Sequence, residues 1–146
     1  MSETTVPVAT TPSPTSAVRP RRARAVLRGV QILLALFFGV ASALPKLIAH
    51  PTAVESFDRI GWGTPAMYTI GALELAGAVA LLIPVLQSVG AASLAALMVG
   101  AFITQVTVFD GENAATPLIV GALLAAIAWA RRGTLTELTG LVRRQG

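Results

Sequence analysis

Apolar residues run from about Ala25 to Leu44, Pro65 to Leu86, Ser88 to Phe109 and Ala115 to Ala130, and only Arg28 and Glu74 are charged inside these runs. A helix rises 1.5 Å per residue, so about 20 such residues cross a hydrocarbon layer of roughly 30 Å. Thr64-Pro65 reads as an N-cap followed by Pro at the first helical position. Almost nothing separates the second run from the third around Gln87, which predicts an antiparallel hairpin, and "DGEN" (Asp110 to Asn113) turns the third run into the fourth. Between the first two runs, "HPTAVESFDRIGWG" has Pro51 near a start, Gly61 past an end, and Val54, Phe57 and Ile60 at helical spacing. This predicts a short surface helix.

The ends of the chain have a different texture. Residues 1–24 are first Thr-, Ser- and Pro-rich and then basic, without apolar periodicity, and predict a disordered tail. "ASA" at Ala41 to Ala43 resembles a signal-peptidase site, but the long basic tail and the Pro-Lys that follows favour retention of the segment. After Arg131-Arg132-Gly133, "TLTE" (Thr134 to Glu137) resembles a capping box. Leu135, Leu138 and Val142 would then lie on the membrane surface, with Arg143 and Arg144 toward lipid headgroups. The expected fold is all-α: a polytopic, antiparallel four-helix transmembrane bundle over residues 25–130. A disordered basic tail (1–24) precedes it, and a cytoplasmic tail with an interfacial helix (131–146) follows.

Composition agrees with the pattern. The chain is 54% hydrophobic and 12% charged, and its mean hydropathy is +0.72. Its basic residues lie beside apolar spans, which makes membrane lipids the expected partner rather than nucleic acid. There is no cysteine, which excludes disulfides, thiol redox chemistry and cysteine-held metals. Nine arginines flank the N- and C-terminal sides, against Lys46 and Arg59 on the opposite face. The positive-inside rule then puts both termini in the cytoplasm. Trp129 marks the inner boundary, and Trp62 and Tyr68 the outer one. Small residues recur every four positions at Ser88, Ala92, Ala96, Gly100 and Thr104, at Gln31, Ala35, Gly39 and Ala43, and at Ala72, Ala76 and Ala80. Such ridges allow helices to approach closely.

Glu74 is the exception among these spans. "GALELAGA" (Gly71 to Ala78) has a near copy in "GALLAAIA" (Gly121 to Ala128), where Leu124 replaces the acid. Counted from Pro65, Glu74 lies about 13 Å below the outer boundary, where a charge costs about 2.5 kcal/mol or more without a partner. Helical side chains lean toward their own N-terminus. On antiparallel spans this turns Glu74 toward Gln105, Thr104, Lys46 and Thr69, the candidate ligand-binding set. Two readings of Glu74 stand side by side. It is a protonated carboxyl hydrogen-bonding across helices, or it lines an outer-half pocket that orients a polar head or relays a proton. His50, the single histidine, fits a helix start, and Asp110 and Glu112 fit a solvated turn. No phosphate loop, nucleophile elbow or metal motif occurs.

Together "SALPKLIAH", "IGALELAGAVALLIP" and "AALMVGAFITQV" resemble the DoxX-like family of small bacterial membrane proteins. The likeness covers about residues 25–130. It rests on Lys46-Leu47 ending the first span, on Gly71, Glu74 and Gly77 as a Gly-x-x-Glu-x-x-Gly frame, and on Met98 to Ala101 in the third span. Many members carry His near the end of the third span, where this chain has Gln105, so a proton-transfer role does not carry over to that position. The resemblance implies a four-helix bundle in the bacterial inner membrane and an association with membrane redox systems. No residues for a redox metal or flavin are present, so a redox role would need a bound quinone or a partner subunit. The expected function is non-catalytic: binding a small lipid-soluble molecule or supporting a membrane complex, alone or as a homo-oligomer. The alternative is a quinone-interacting subunit of an oxidoreductase. A small-solute transporter is disfavoured by the short, unbroken spans.

Overall fold

The computed structural model describes residues 14–145, with side chains from residue 21 onward except those of residues 134, 135, 137 and 138. Helix α1 (Pro14–Leu36) passes into a π-helical segment (Phe37–Ala43) and then a single turn, α2 (Leu44–Leu47). There follow α3 (Pro51–Ile60), α4 (Gly63–Leu82), α5 (Gln87–Val108), α6 (Ala115–Ala130) and α7 (Gly133–Gln145). No strand occurs among the described residues. Three helical stretches, 21–47, 63–82 and 87–108, are long and apolar enough to cross a membrane, and α6 is apolar but shorter, at 16 residues.

Several boundaries differ from the sequence expectation. The first helix begins at Pro14, inside the stretch expected to be a disordered tail, and residues 1–13 of that tail lie outside the described residues. Ala and Arg are good helix formers and extend the apolar span backwards. Helix α4 starts at Gly63 with no side-chain cap, rather than at a Thr64 cap. It also stops at Leu82, short of the expected Leu86. Pro84 lacks an N–H and forces the preceding residue out of helical geometry, and Ile83 is extended (φ −84°, ψ 120°). The second and third spans are therefore joined by a real turn over residues 83–86. The side chains of the expected capping pair, Thr134 and Glu137, lie outside the described residues.

Contacts between neighbouring helices run in opposite residue order, which makes the pairs antiparallel. Gly39 on the π segment meets Ala78 of α4, and Gln31 lower on α1 meets Leu81. Gly77 faces Leu94 while Gly90 faces Ala80, and Met98 faces Gly121 while Ser88 faces Ala128. The buried core joins Leu34, Phe38, Leu81, Leu94, Leu124 and Ile127. Leu124, the counterpart of Glu74 in the repeated frame, is fully buried there.

Close approach is concentrated at a few glycines, and much of two of the expected ridges faces outward. Ala92, Ala96 and Gly100 on α5 and Ala72 and Ala76 on α4 face outward. Of the three ridges, the one on the first span turns inward, with Gln31, Ala35 and Ala43 buried. A Cβ on Gly90 would lie 2.9 Å from the Leu81 backbone nitrogen and 2.9 Å from Ala80 Cβ. Backbone cannot move aside as a side-chain tip can. Gly90→Ala should therefore lower thermal stability in detergent by about 1–3 kcal/mol. Gly100→Ala, which meets open space, should leave it unchanged; equal effects would contradict this packing.

Candidate functional site

Pro45 sets the local geometry of the first span. Its ring has no N–H and clashes with the carbonyl four residues earlier, so an α-helix cannot run through it undisturbed. The chain widens into the π turn over Phe37–Ala43, and Leu44 donates to the Gly39 carbonyl five residues back. Wide turns of this kind are often found at functional sites. After α2 the chain reverses: Ala49 takes a left-handed φ of 52°. His50 N–H then bonds to Pro45 O at 2.8 Å and Ala49 N–H to Lys46 O at 3.3 Å. This is a Schellman ending made without glycine. His50 starts α3 immediately afterwards, its Nδ1 accepting from Thr52 N–H at 3.4 Å with Pro51 at the first helical position.

These turns bring Ser42 and Lys46 against Glu74. Lys46 Nζ lies 2.9 Å from Glu74 Oε2 and 3.3 Å from Oε1. It also donates to the Ser42 carbonyl at 2.9 Å and to Ser42 Oγ at 3.0 Å. Ser42 Oγ in turn donates to Glu74 Oε2 at 3.0 Å. The side chains of Lys46 and Glu74 are 18% and 5% exposed. Ammonium and carboxylate thus form a nearly dry ion pair, and the hydroxyl between them bonds to both.

The glycine frame around Glu74 makes this approach feasible. A Cβ on Gly71 would lie 3.0 Å from Lys46 Cβ and 3.4 Å from the Ala43 carbonyl, so only glycine lets α2 lie so close. Nearly two turns further, a Cβ on Gly77 would lie 2.6 Å from Leu94 Cδ2. Gly71 therefore receives the first span and Gly77 receives α5, while Glu74 between them reaches Lys46.

Of the five expected site residues, the structure joins Glu74 and Lys46. Thr69 and Thr104 bond back to their own helices, at Pro65 O (2.8 Å) and Gly100 O (2.9 Å). Gln105 does not reach Glu74, and its Oε1 is buried without a partner. Ser42 is the member that sequence reasoning missed. Its signal was present: it stands four residues before Lys46, the spacing of neighbours on one helix face.

Beside the ion pair opens a groove of about 410 Å³, lined by Ser42, Pro45, Lys46, His50, Thr52 and Ser56 among others. Helix α3 forms its other wall. That helix is held to the end of α5 by Arg59, whose guanidinium lies 4.9 Å above the Phe109 ring. No group of His, Asp or Glu among the described residues could hold a metal.

The model of the DoxX-like family matches residues 29–127, most of the chain and all of this site. The chain belongs to the DoxX-like family. No curated protein and no solved structure matches it significantly. In this DoxX-like chain the matched segment includes the whole Gly71–Glu74–Gly77 frame together with Ser42 and Lys46.

Removing one partner of a buried pair strands the other charge, at a cost of about 3–5 kcal/mol. Lys46→Met or Glu74→Leu alone should each destabilise the protein on that scale. The double variant, which puts Leu where the repeated frame already has Leu124, should recover most of the loss. A double-mutant cycle of unfolding in detergent measures this, and simple additivity of the two losses would contradict the pair.

Proposed function

We propose that this DoxX-like protein is a non-catalytic protein of the bacterial inner membrane. It binds a small, lipid-soluble, uncharged molecule by a polar head in the groove beside Glu74. The observation that carries this reading is the groove itself: hydroxyls, an imidazole and the Lys46 ammonium line it, and Glu74, outside the lining, pairs with Lys46. Because Glu74 compensates Lys46, the ammonium in the lining is not an unpaired charge. A free carboxylate or phosphate would have to compete with Glu74 for Lys46. A neutral carbonyl or hydroxyl would meet donors and acceptors without that competition.

Other groups fit the same chemistry. His50 Nδ1 accepts from the Thr52 amide, which leaves the imidazole proton on Nε2 as a donor. Ser56 Oγ already donates to Thr52 O at 2.7 Å, so its lone pairs remain as acceptors. Four crossings, with α6 as a short fourth span, would leave both termini on one side. The excess of arginine there favours the cytoplasm, and the groove would then open toward the outer leaflet.

The test is purification in mild detergent, followed by organic extraction and mass spectrometry. The expected result is an uncharged apolar molecule with a carbonyl or hydroxyl head, retained at near one per protein. Ser42→Ala and His50→Phe, both in the lining, should reduce it about tenfold with helical content unchanged, the scale of losing one hydrogen bond. A quinone, together with a co-purifying flavoprotein, would favour the alternative of a redox subunit. Unchanged retention in both variants would remove the groove from binding.

A further inference from the structure

One residue fastens the start of α3 to the first span. His50 completes the reversal after α2, its N–H bonded to Pro45 O at 2.8 Å. It also opens α3, where its carbonyl accepts from Ala53 N–H at 2.9 Å and from Val54 N–H at 3.1 Å. The ring adds the side-chain cap, Nδ1 accepting from Thr52 N–H at 3.4 Å. Ser, Thr, Asn and Asp, the usual capping residues, accept with an oxygen that remains an acceptor near neutral pH. A histidine nitrogen accepts only while it carries no proton. His50 is exposed, so its ring exchanges protons with solvent, and this cap is made or lost with pH.

Nothing around the ring takes over when the cap is lost. Sharing the groove with it is Lys46 of α2, a cation already committed to Glu74 of α4. The lining from the first span, Ala41, Ser42 and Pro45, carries no charge. On α3, Glu55, Asp58 and Arg59 lie outside the lining, and Arg59 sits over Phe109 of α5. No carboxylate among the described residues pairs with His50. On protonation Nδ1 becomes a donor, and Thr52 N–H is left among the orphan amides of a helix start. A cation then stands at the positive end of the α3 dipole, with Lys46 in the same groove.

The backbone confines the effect to α3. Left-handed residues bracket the helix, Ala49 (φ 52°) before it and Gly61 (φ 84°) after it, so a loosened first turn is not transmitted along a continuous helix into α2 or α4. The far end has its own anchors, since Phe57 is buried and Arg59 rests on Phe109. Loss of the cap therefore frees the start of α3, where Thr52, Ala53 and Ser56 form the groove wall.

We propose that His50 is a proton-operated latch on α3. Neutral, it caps the helix and holds the wall of the groove. Protonated, it releases the first turn and widens the groove. The latch is a property of the fold and does not depend on what the groove binds.

Amide hydrogen exchange of the full chain in detergent tests it at about pH 7.5 and about pH 5.5, a range that spans ordinary imidazole titration. Rates are expressed as protection factors, which removes the intrinsic pH dependence of exchange. At the lower pH the protection of Thr52, Ala53 and Val54 should fall about fivefold, the scale of losing one helix cap, while α4 and α5 are unchanged. His50 is the single histidine, so one position decides the assignment. His50→Asn retains a capping side chain that does not titrate, and its protection should stay at the wild-type neutral level at both pH values. His50→Ala should give the low level at both. Protection in the wild type that does not change with pH would overturn the proposal. So would an equal fall in His50→Asn, which would assign the titration to another group. Because the measurement needs no ligand, a groove that retains nothing leaves its outcome unaffected.

Discussion

The contact between Lys46 and Glu74 is the constraint on which the upper half of the bundle depends. Glu74 stands in the middle of an apolar helix, where an uncompensated charge is expensive. Lys46 is the only lysine in the chain, and it arrives at the carboxylate because the first span changes its winding just before it. Pro45 loosens the helix into a π turn, Ser42 and Lys46 come to face the same carboxylate, and Gly71 removes the Cβ that would hold them off. Each of these features taken alone is a defect in a transmembrane helix. Together they form one polar site, with a hydroxyl shared between two opposite charges.

The same frame divides α4 between two neighbours. Its Gly71 face accepts the first span, and its Gly77 face accepts Leu94 of α5. The related frame in α6 has no such double duty: Gly121 approaches Met98, and Leu124 fills the common core. That contrast explains why one copy holds an acid and the other a leucine. Leu suffices where a helix packs only into the apolar centre, whereas the carboxylate is needed where α4 meets the lysine that ends the first span.

Much of the fold was legible in the sequence because membrane helices announce themselves by long apolar runs, and the short α3 by Pro51, Gly61 and its spacing of Val54, Phe57 and Ile60. What escaped was local. The stop at Leu82 depends on a proline embedded in an otherwise continuous apolar run. The ridge at Ala92, Ala96 and Gly100 faces outward because the interior side of α5 is set by Gly90, Ala91 and Leu94, and spacing alone cannot say which small residues point in. The site was half legible. Side-chain lean paired Glu74 with Lys46, but it also suggested Thr69, Thr104 and Gln105. Thr hydroxyls in apolar helices can satisfy themselves on their own backbone, and both threonines do so. Ser42 was hidden inside a segment resembling a cleavage site. Its role emerges only when the π turn is known.

Two polar clusters lie at opposite ends of the apolar bundle, and one of them is neutral by internal pairing. Both depend on helix endings. Lys46 lies just before a Schellman turn, and Arg28 and Gln31 hold the last carbonyls of α4. At the upper site Glu74 is a carboxylate neutralised by Lys46. Difference infrared spectroscopy of protein labelled with ¹³C-glutamate, comparing wild type with Glu74→Gln in lipid bilayers, tests it most directly. The substitution should remove intensity from the carboxylate stretching region. Loss of a protonated carboxylic acid band instead would contradict it.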